Sequence, residues 1–329
     1  MNRGGALLGL GTFRFVLAFF VLSSHLWVRM PHGFAAYAVW GFFVLSGYLM
    51  TFVLREKYGF SRAGLGAYAR NRFLRIAPTY WLALSIGVVT LVVCNRHGID
   101  LTQLNPAFSM PRSFSEWLFP TTLLVVFPLE GLPVPVANAL AIEVSAYLLM
   151  PLLASHRSAA WTALALSAYA NFRLGFTIES FAERYATFLP CMWPFAIGSL
   201  LAHYRDRLRP LARPGLSCAA WMLHGLIWFQ WDRWPWTYGL YTSALLSAWL
   251  VLSLVDRRSS RADVLIGDLS YPLYLFHTTI GAWLVPTFGF GRSLAFAGAA
   301  LVGTLLLSLA VVRFFERPLK SWKVSGALG

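Results

Sequence analysis

Residues 11–25 read Gly-Thr-Phe-Arg-Phe-Val-Leu-Ala-Phe-Phe-Val-Leu-Ser-Ser-His, an apolar stretch that carries one arginine and one histidine. The stretch belongs to a longer apolar segment, 8–28. A helix of about 20 mainly apolar residues is what the hydrocarbon core of a bilayer requires. Segments of this kind recur along the whole chain. The sequence therefore predicts an all-α polytopic membrane protein.

The composition supports this class of protein and excludes others. Of the 329 residues, 58% are hydrophobic and only 12% are charged, whereas soluble chains typically carry about 25% charged residues. A large water-soluble catalytic domain and a disordered chain are both excluded. The net charge of +14 does not indicate a nucleic-acid partner, because the cytoplasmic loops of membrane proteins collect lysine and arginine.

Ten transmembrane helices are predicted from the apolar segments. They are 8–28, 34–54, 76–94, 139–155, 159–175, 185–203, 215–231, 237–255, 267–287 and 293–313. Ten spans place both termini on one side of the membrane. With cytoplasmic termini, 19 lysines and arginines lie inside and 7 lie outside, as the positive-inside rule requires.

Residues 117–129 are apolar but too short to span the membrane, and Pro120 and Pro128 interrupt them. We predict a short re-entrant or interfacial segment on the outer face. If this segment did span, every later orientation would flip and the basic loops would lie outside. The chain, 1–329, is expected to form a single membrane-embedded domain.

Arg14 and His25 are the first ionisable residues within an apolar span, where such residues indicate function. Eleven residues make about three helical turns, so both side chains share one face at an axial separation of about 16 Å. The pair would suit a long anionic ligand, with its phosphates at Arg14 and its reactive end at His25. Alternatively, Arg14 extends to the lipid headgroups and His25 is a hydrogen-bonded core residue.

Two further spans carry polar residues. Glu143 lies in the fourth span, with Tyr147 one turn later on the same face; a structural pair with an arginine is the alternative to a functional role. In the ninth span Ser270, Tyr274 and His277 form a polar stripe. A hydrogen-bonded seam between helices would explain that stripe as well as catalysis would.

These residues resemble the acyltransferase-3 family of bacterial integral-membrane O-acyltransferases. Six motifs carry the resemblance over residues 10 to 320: Arg14 with His25, Gly41-Phe-Phe-Val-Leu-Ser46-Gly47-Tyr-Leu, Arg70-Asn-Arg72-Phe-Leu-Arg75-Ile-Ala-Pro78-Thr-Tyr80, Glu143-Val-Ser-Ala-Tyr147-Leu-Leu-Met-Pro151, Ser270-Tyr271-Pro-Leu-Tyr274-Leu-Phe-His277 and Glu316-Arg317-Pro318. The chain departs from the family at Asn138-Ala139-Leu140, where relatives usually carry Trp-Ser-Leu.

The resemblance implies transfer of an acyl group, most commonly acetyl, from cytoplasmic acyl-CoA to a hydroxyl of an envelope or exported glycan. The expected location is the bacterial inner membrane. The expected partners are acyl-CoA and a carbohydrate or lipid-linked glycan. No metal and no permanently bound cofactor is expected. Many relatives carry a fused extracytoplasmic domain; none is expected here, so a second catalytic step would need a separate extracytoplasmic partner.

The residue roles follow from the chemistry of this transfer. A sugar hydroxyl is a poor nucleophile, and a neutral imidazole is its natural general base, which we assign to His25. Glu143 would bind the acceptor or orient a base. Arg14 would hold the CoA phosphates through its forked guanidinium, helped by Arg70, Arg72 and Arg75. The remaining motif residues are assigned to substrate binding or support: Ser46, Tyr80, Tyr147, Ser270, Tyr274 and His277.

Several alternatives stay open at this point. Topology alone explains the three arginines of 70–75 as well as donor binding does. Direct transfer and a relay through an acyl-histidine are both consistent with the residues. The acceptor could instead be a small secreted glycosylated metabolite such as a macrolide. From another class, a transporter would also show buried charges and broken segments, although the expected symmetry between halves is not seen.

Overall fold

The computed structural model describes residues 8–31, 33–127, 129–230, 234–324 and 326. The regular elements of these residues are helical. The α-helices are α1 (Leu10–Leu26), α2 (Phe34–Val53), α3 (Arg62–Arg96), α4 (Phe114–Thr122), α5 (Ala137–Ser155), α6 (Arg157–Leu174), α7 (Phe181–Ala186), α8 (Phe188–His203), α9 (Arg205–Leu208), α10 (Pro214–Gln230), α11 (Leu240–Leu254), α12 (Arg261–Phe288), α13 (Leu294–Ala310) and α14 (Arg317–Leu319). Wider π-helical turns adjoin three of these helices. One continues α2 (Leu54–Tyr58), one precedes α11 (Pro235–Gly239) and one continues α13 (Val311–Glu316).

The structure confirms an all-helical, multi-pass membrane protein. Within the described residues, five continuous helical segments are long and apolar enough to cross a membrane: Phe34–Tyr58, Arg62–Arg96, Ala137–Ser155, Trp236–Leu254 and Leu294–Trp322. The helices α1 and α8 are apolar but shorter. Each of the ten predicted spans coincides with a helix, while ten membrane crossings remain a prediction. The predicted cytoplasmic termini, 1–7 and 327–329, lie outside the described residues.

Two helices begin earlier than the hydropathy indicates, because a serine caps each of them. The side chain of Ser61 accepts a hydrogen bond from the amide of Gly64 at 3.1 Å, so α3 begins at Arg62 rather than near 76. Ser260 accepts from the amide of Asp263 at 3.1 Å and starts α12. Such caps satisfy amide groups that lack partners at a helix start. The basic residues 70–75 therefore lie on a helix and not in a loop.

The short helix α4 occupies part of the segment that the sequence singles out at 117–129. Its nine residues extend only about 14 Å, well short of a bilayer core. Tyr80 donates a hydrogen bond to the carbonyl of Pro120 at 2.7 Å, and Trp81 donates to that of Thr121 at 3.0 Å. These bonds hold α4 beside the middle of α3. A re-entrant or interfacial position in the membrane remains a prediction.

Glycines allow the helices that surround the site to approach closely. A Cβ at Gly47 of α2 would lie 2.2 Å from the backbone oxygen of Phe195, and one at Gly198 of α8 would lie 2.1 Å from that of Val44. A Cβ at Gly267 of α12 would lie 2.6 Å from the Cα of Gly11. Small residues at such crossings let backbones pack in contact. The crossings position α1, α2 and α12 around a shared interior.

Candidate active site

A first cavity lies between α1, α2, α3, α5 and α12, at the basic end of α3. Its enclosed volume is about 120 Å³, which is smaller than a typical site for a whole small-molecule ligand. It could receive only one part of a molecule as large as acyl-CoA. Eight of the predicted site residues line it: Arg14, Ser46, Arg72, Arg75, Glu143, Tyr147, Ser270 and Tyr274.

The arginines of the first cavity are incompletely neutralised. Among the described residues, Arg14 has neither a hydrogen bond nor an ion pair, and the buried Nε of Arg72 has no partner. Arg75 pairs with Glu316 at 3.1 Å. A cation removed from water without a partner is costly. The first cavity is therefore suited to an anionic ligand.

Glu143 supplies the one carboxylate in the lining of the first cavity. Its Oε1 accepts a hydrogen bond from Tyr147 at 2.5 Å and another from the hydroxyl of Ser46. Tyr147 is one turn along α5 and Ser46 is on α2, so the helices α2 and α5 are joined at this point. The partners of Glu143 are two hydroxyls rather than an arginine.

His25 contacts His277, and their hydrogen bonds determine which nitrogen of His25 is free. The Nδ1 of His277 lies 2.8 Å from the carbonyl oxygen of Tyr274. A carbonyl only accepts, so this nitrogen carries the proton and the Nε2 of a neutral His277 is an acceptor. The Nδ1 of His25 lies 2.8 Å from that Nε2 and must donate to it. The Nε2 of His25 is left with an available lone pair.

His25 lines a second cavity, of about 480 Å³, at the opposite end of α1 from Arg14. The connection between α3 and α5 forms much of its wall. The first and second cavities share three lining residues, Val39, Ala139 and Tyr274. Arg14 and His25 thus face two adjoining cavities.

Three predicted site residues line neither cavity: Arg70, Tyr80 and His277, the last of which contacts His25 instead. Arg70 is exposed on α3 and does not line the first cavity with Arg72 and Arg75. Tyr80 is buried, and its hydroxyl is committed to the carbonyl of Pro120. In this arrangement Tyr80 supports the position of α4 rather than a ligand.

Sequence reasoning missed three residues close to the site. Tyr271 lines the first cavity, and its ring centroid lies 5.7 Å from the guanidinium carbon of Arg75. Its position in the ninth-span motif could have indicated a place in the site. Glu316, which pairs with Arg75, also belongs to a quoted motif. Arg292 donates to the carbonyl of His25 at 3.2 Å, and nothing in the local sequence indicates that contact.

Lys323 adds a further positive charge near the basic end of α3. The next residue, Val324, exchanges two hydrogen bonds with Asn71, at 2.8 and 3.0 Å. Burial and the charges of Arg75 and Arg72 lower the pKa of Lys323. The C-terminal segment therefore contributes to the electropositive surroundings of the first cavity.

A comparison with known families identifies the family of the chain. A family model described as an acyltransferase domain, that of the acyltransferase-3 family, matches residues 7–313. The chain belongs to this family and is a membrane acyltransferase. No curated protein and no solved structure matches it significantly. Among the described residues, no group of three or more His, Cys, Asp or Glu side chains could hold a metal ion.

Proposed function

We propose that the protein transfers an acetyl group from cytoplasmic acetyl-CoA to a hydroxyl of an envelope or exported glycan at the bacterial inner membrane. One observation carries the choice of donor: Arg14 has no partner among the described residues although it lines a cavity inside the helical bundle. CoA supplies the phosphates that such a guanidinium binds. Arg72 and Arg75 extend the same cationic lining.

The donor would lie across the two adjoining cavities. With its phosphates at the first cavity, the flexible arm of CoA would extend past Val39, Ala139 and Tyr274 toward His25, about 16 Å along α1 from Arg14. Glu143, held by Ser46 and Tyr147, offsets part of the arginine charge and orients the lining of the first cavity.

In the transfer step, the Nε2 of His25 accepts the proton of the acceptor hydroxyl. The hydroxyl oxygen forms a bond to the acyl carbon, and the bond between that carbon and sulfur breaks. The CoA thiolate leaves and takes up the proton from the imidazolium. The products are an ester and free CoA. His277 accepts a hydrogen bond from the Nδ1 of His25 throughout, which stabilises the imidazolium that forms.

Purified protein tests this proposal directly. Slow release of free thiol from acetyl-CoA, accelerated by an added glycan, is the expected result, and folded His25→Ala should lose the acceleration. A protein that releases no thiol under either condition is not an acetyl-CoA-dependent transferase. Near-normal turnover by His25→Ala would remove the assignment of His25 as the base.

A further inference from the structure

The second cavity has a lining suited to an uncharged, hydroxylated ring. We propose that it binds the acceptor as a neutral sugar unit through Asn105, Ser109 and Asn138. This inference rests on the proposed function, because it places the acceptor beside the Nε2 of His25. The volume of about 480 Å³ falls within the range of small-molecule sites.

The three polar side chains have hydrogen-bonding capacity left over within the described part of the chain. The Oδ1 of Asn105 accepts from the amide of Ala107 at 3.0 Å, and its Nδ2 has no partner. The Nδ2 of Asn138 donates to the carbonyl of Ala186 at 3.3 Å, and its Oδ1 has none. The hydroxyl of Ser109 is likewise without a protein partner. The lining thus offers a donor, an acceptor and a group that can be either.

The charge of the lining restricts the class of ligand. Among the residues that line the second cavity, the ionisable side chains are His25 and two tyrosines, with no acid, lysine or arginine. Tyr185 and Tyr274 contribute aromatic surface, and the remainder is small or apolar. Amides, a hydroxyl and aromatic rings match the alternating polar edges and apolar faces of a sugar ring. A charged acceptor would lack a counter-charge there.

Two variants test the assignment with the full-length protein in detergent. Asn105→Asp keeps the oxygen that accepts from Ala107 but replaces the two donor hydrogens of the amide. Asn138→Leu keeps the approximate shape of the side chain and removes the free acceptor. Each should raise the KM for methyl glucopyranoside, methyl galactopyranoside or methyl rhamnopyranoside about 3- to 10-fold, as expected for one lost hydrogen bond. The affinity for acetyl-CoA should change less than about two-fold, which also reports folding.

Gln103→Leu is the matched control. Gln103 is an exposed amide two residues before Asn105 and does not line the cavity, so its variant should show the parental acceptor KM. Parental KM values in both asparagine variants would overturn the acceptor site while leaving the acetyl-CoA reaction intact. Equal acceleration by n-butanol and the glycosides, at the same hydroxyl concentration, would overturn the choice of a sugar ring. If the parent releases no thiol from acetyl-CoA, the proposed function itself fails.

Discussion

A half-buried arginine without a partner among the described residues, Arg14, is the residue that most directly indicates a ligand in this protein. Arg14 faces the first cavity together with Arg72, and among the described residues neither forms an ion pair. Desolvation of a charge destabilises the fold unless something compensates it. The presence of Arg14 is explained if a substrate supplies the compensating negative charge.

Substitution of Arg14 tests this directly. Arg14→Ala should weaken acetyl-CoA binding by roughly 10- to 150-fold, because a hydrogen bond to a charged group contributes about 1.5–3 kcal/mol. Arg14→Lys should weaken it less but measurably, since an ammonium keeps the charge and loses the forked geometry. Titration of acetyl-CoA into the two detergent-purified variants measures both effects.

A headgroup anchor would behave differently from a phosphate-binding residue. Lysine extends to headgroups as well as arginine does, so Arg14→Lys would then bind acetyl-CoA like the parent. Unchanged affinity in both variants would remove Arg14 from the donor site. A donor that lacks the 3′-phosphate tests whether this phosphate is the partner of Arg14. If it is, the variants should discriminate less than the parent does between that donor and acetyl-CoA.

The imidazole pair gives a second prediction at this scale. His277→Leu removes the acceptor for the Nδ1 of His25, so the tautomer and ring orientation are no longer determined. We expect kcat to fall roughly 10²- to 10⁴-fold, the usual contribution of a positioned base, with unchanged affinity for acetyl-CoA. His277→Gln should recover part of kcat, because its amide oxygen can accept the same hydrogen bond.

The outcome separates positioning from simple packing. If His277 only fills space, the leucine and glutamine variants should lose kcat to the same extent, and any loss should follow the loss of stability. Parental kcat in His277→Leu would show that the hydrogen bond between the two rings is dispensable.

At the scale of helices, Asp263 joins the first turns of α1 and α12. Its carboxylate accepts from the amide and hydroxyl of Thr12 at 2.7 and 2.8 Å and from the amide of Gly11 at 3.4 Å. A carboxylate at a helix start also interacts favourably with the helix dipole. This contact holds the Arg14 end of α1 against α12, where Ser270 and Tyr274 line the same cavity.

Removal of this carboxylate should loosen α1. Asp263→Ala should destabilise the protein by about 0.5–2 kcal/mol, the usual cost of losing a cap, seen as a lower Tm in detergent. Asp206→Ala, which removes an exposed acid on α9, is the control and should leave Tm unchanged. A parental Tm for Asp263→Ala would contradict a stabilising role for the contact.

The pH dependence of the same contact has a definite sign. Burial alone would raise the pKa of Asp263, but hydrogen bonds from Thr12, Ser259 and Gly11 outweigh it and hold the pKa below its ordinary value. A carboxylate with a depressed pKa stabilises the folded state above its unfolded pKa, and the contribution is lost as the pH falls through the folded pKa. The difference in Tm between the parent and Asp263→Ala should therefore narrow in acid.

For the whole molecule, the arrangement of the chain across the membrane is the main prediction. Single cysteines replacing Arg112 and Arg207, in a background without Cys94, Cys191 and Cys218, should react with an impermeant maleimide from opposite sides. The reason is that α4 is too short to cross, so the predicted order of inside and outside loops is preserved. Labelling of both positions from the same side would show that the segment around α4 crosses the membrane.

Much of the fold could be predicted from local pattern. Apolar segments of bilayer length coincide with helices, because a backbone without water must satisfy its own hydrogen bonds. The spacing of Glu143 and Tyr147 was sufficient to predict their contact, since residues four apart share a helix face. The starts of α3 and α12 were missed, because polar, serine-capped turns carry no hydropathy signal.

The sequence by itself determined the class of protein, the positions of its helices and the identity of the ionisable residues inside them. Only the tertiary structure decided their partners on other helices. His25 meets His277 across 252 residues, and Arg75 meets Glu316 across 241. Only the structure separates Arg14 and His25 into adjoining cavities. Helix formation depends on neighbours three and four residues apart in the sequence. The contacts between helices depend instead on how closely whole helices pack, as at Gly11 against Gly267. No local sequence pattern encodes that close packing.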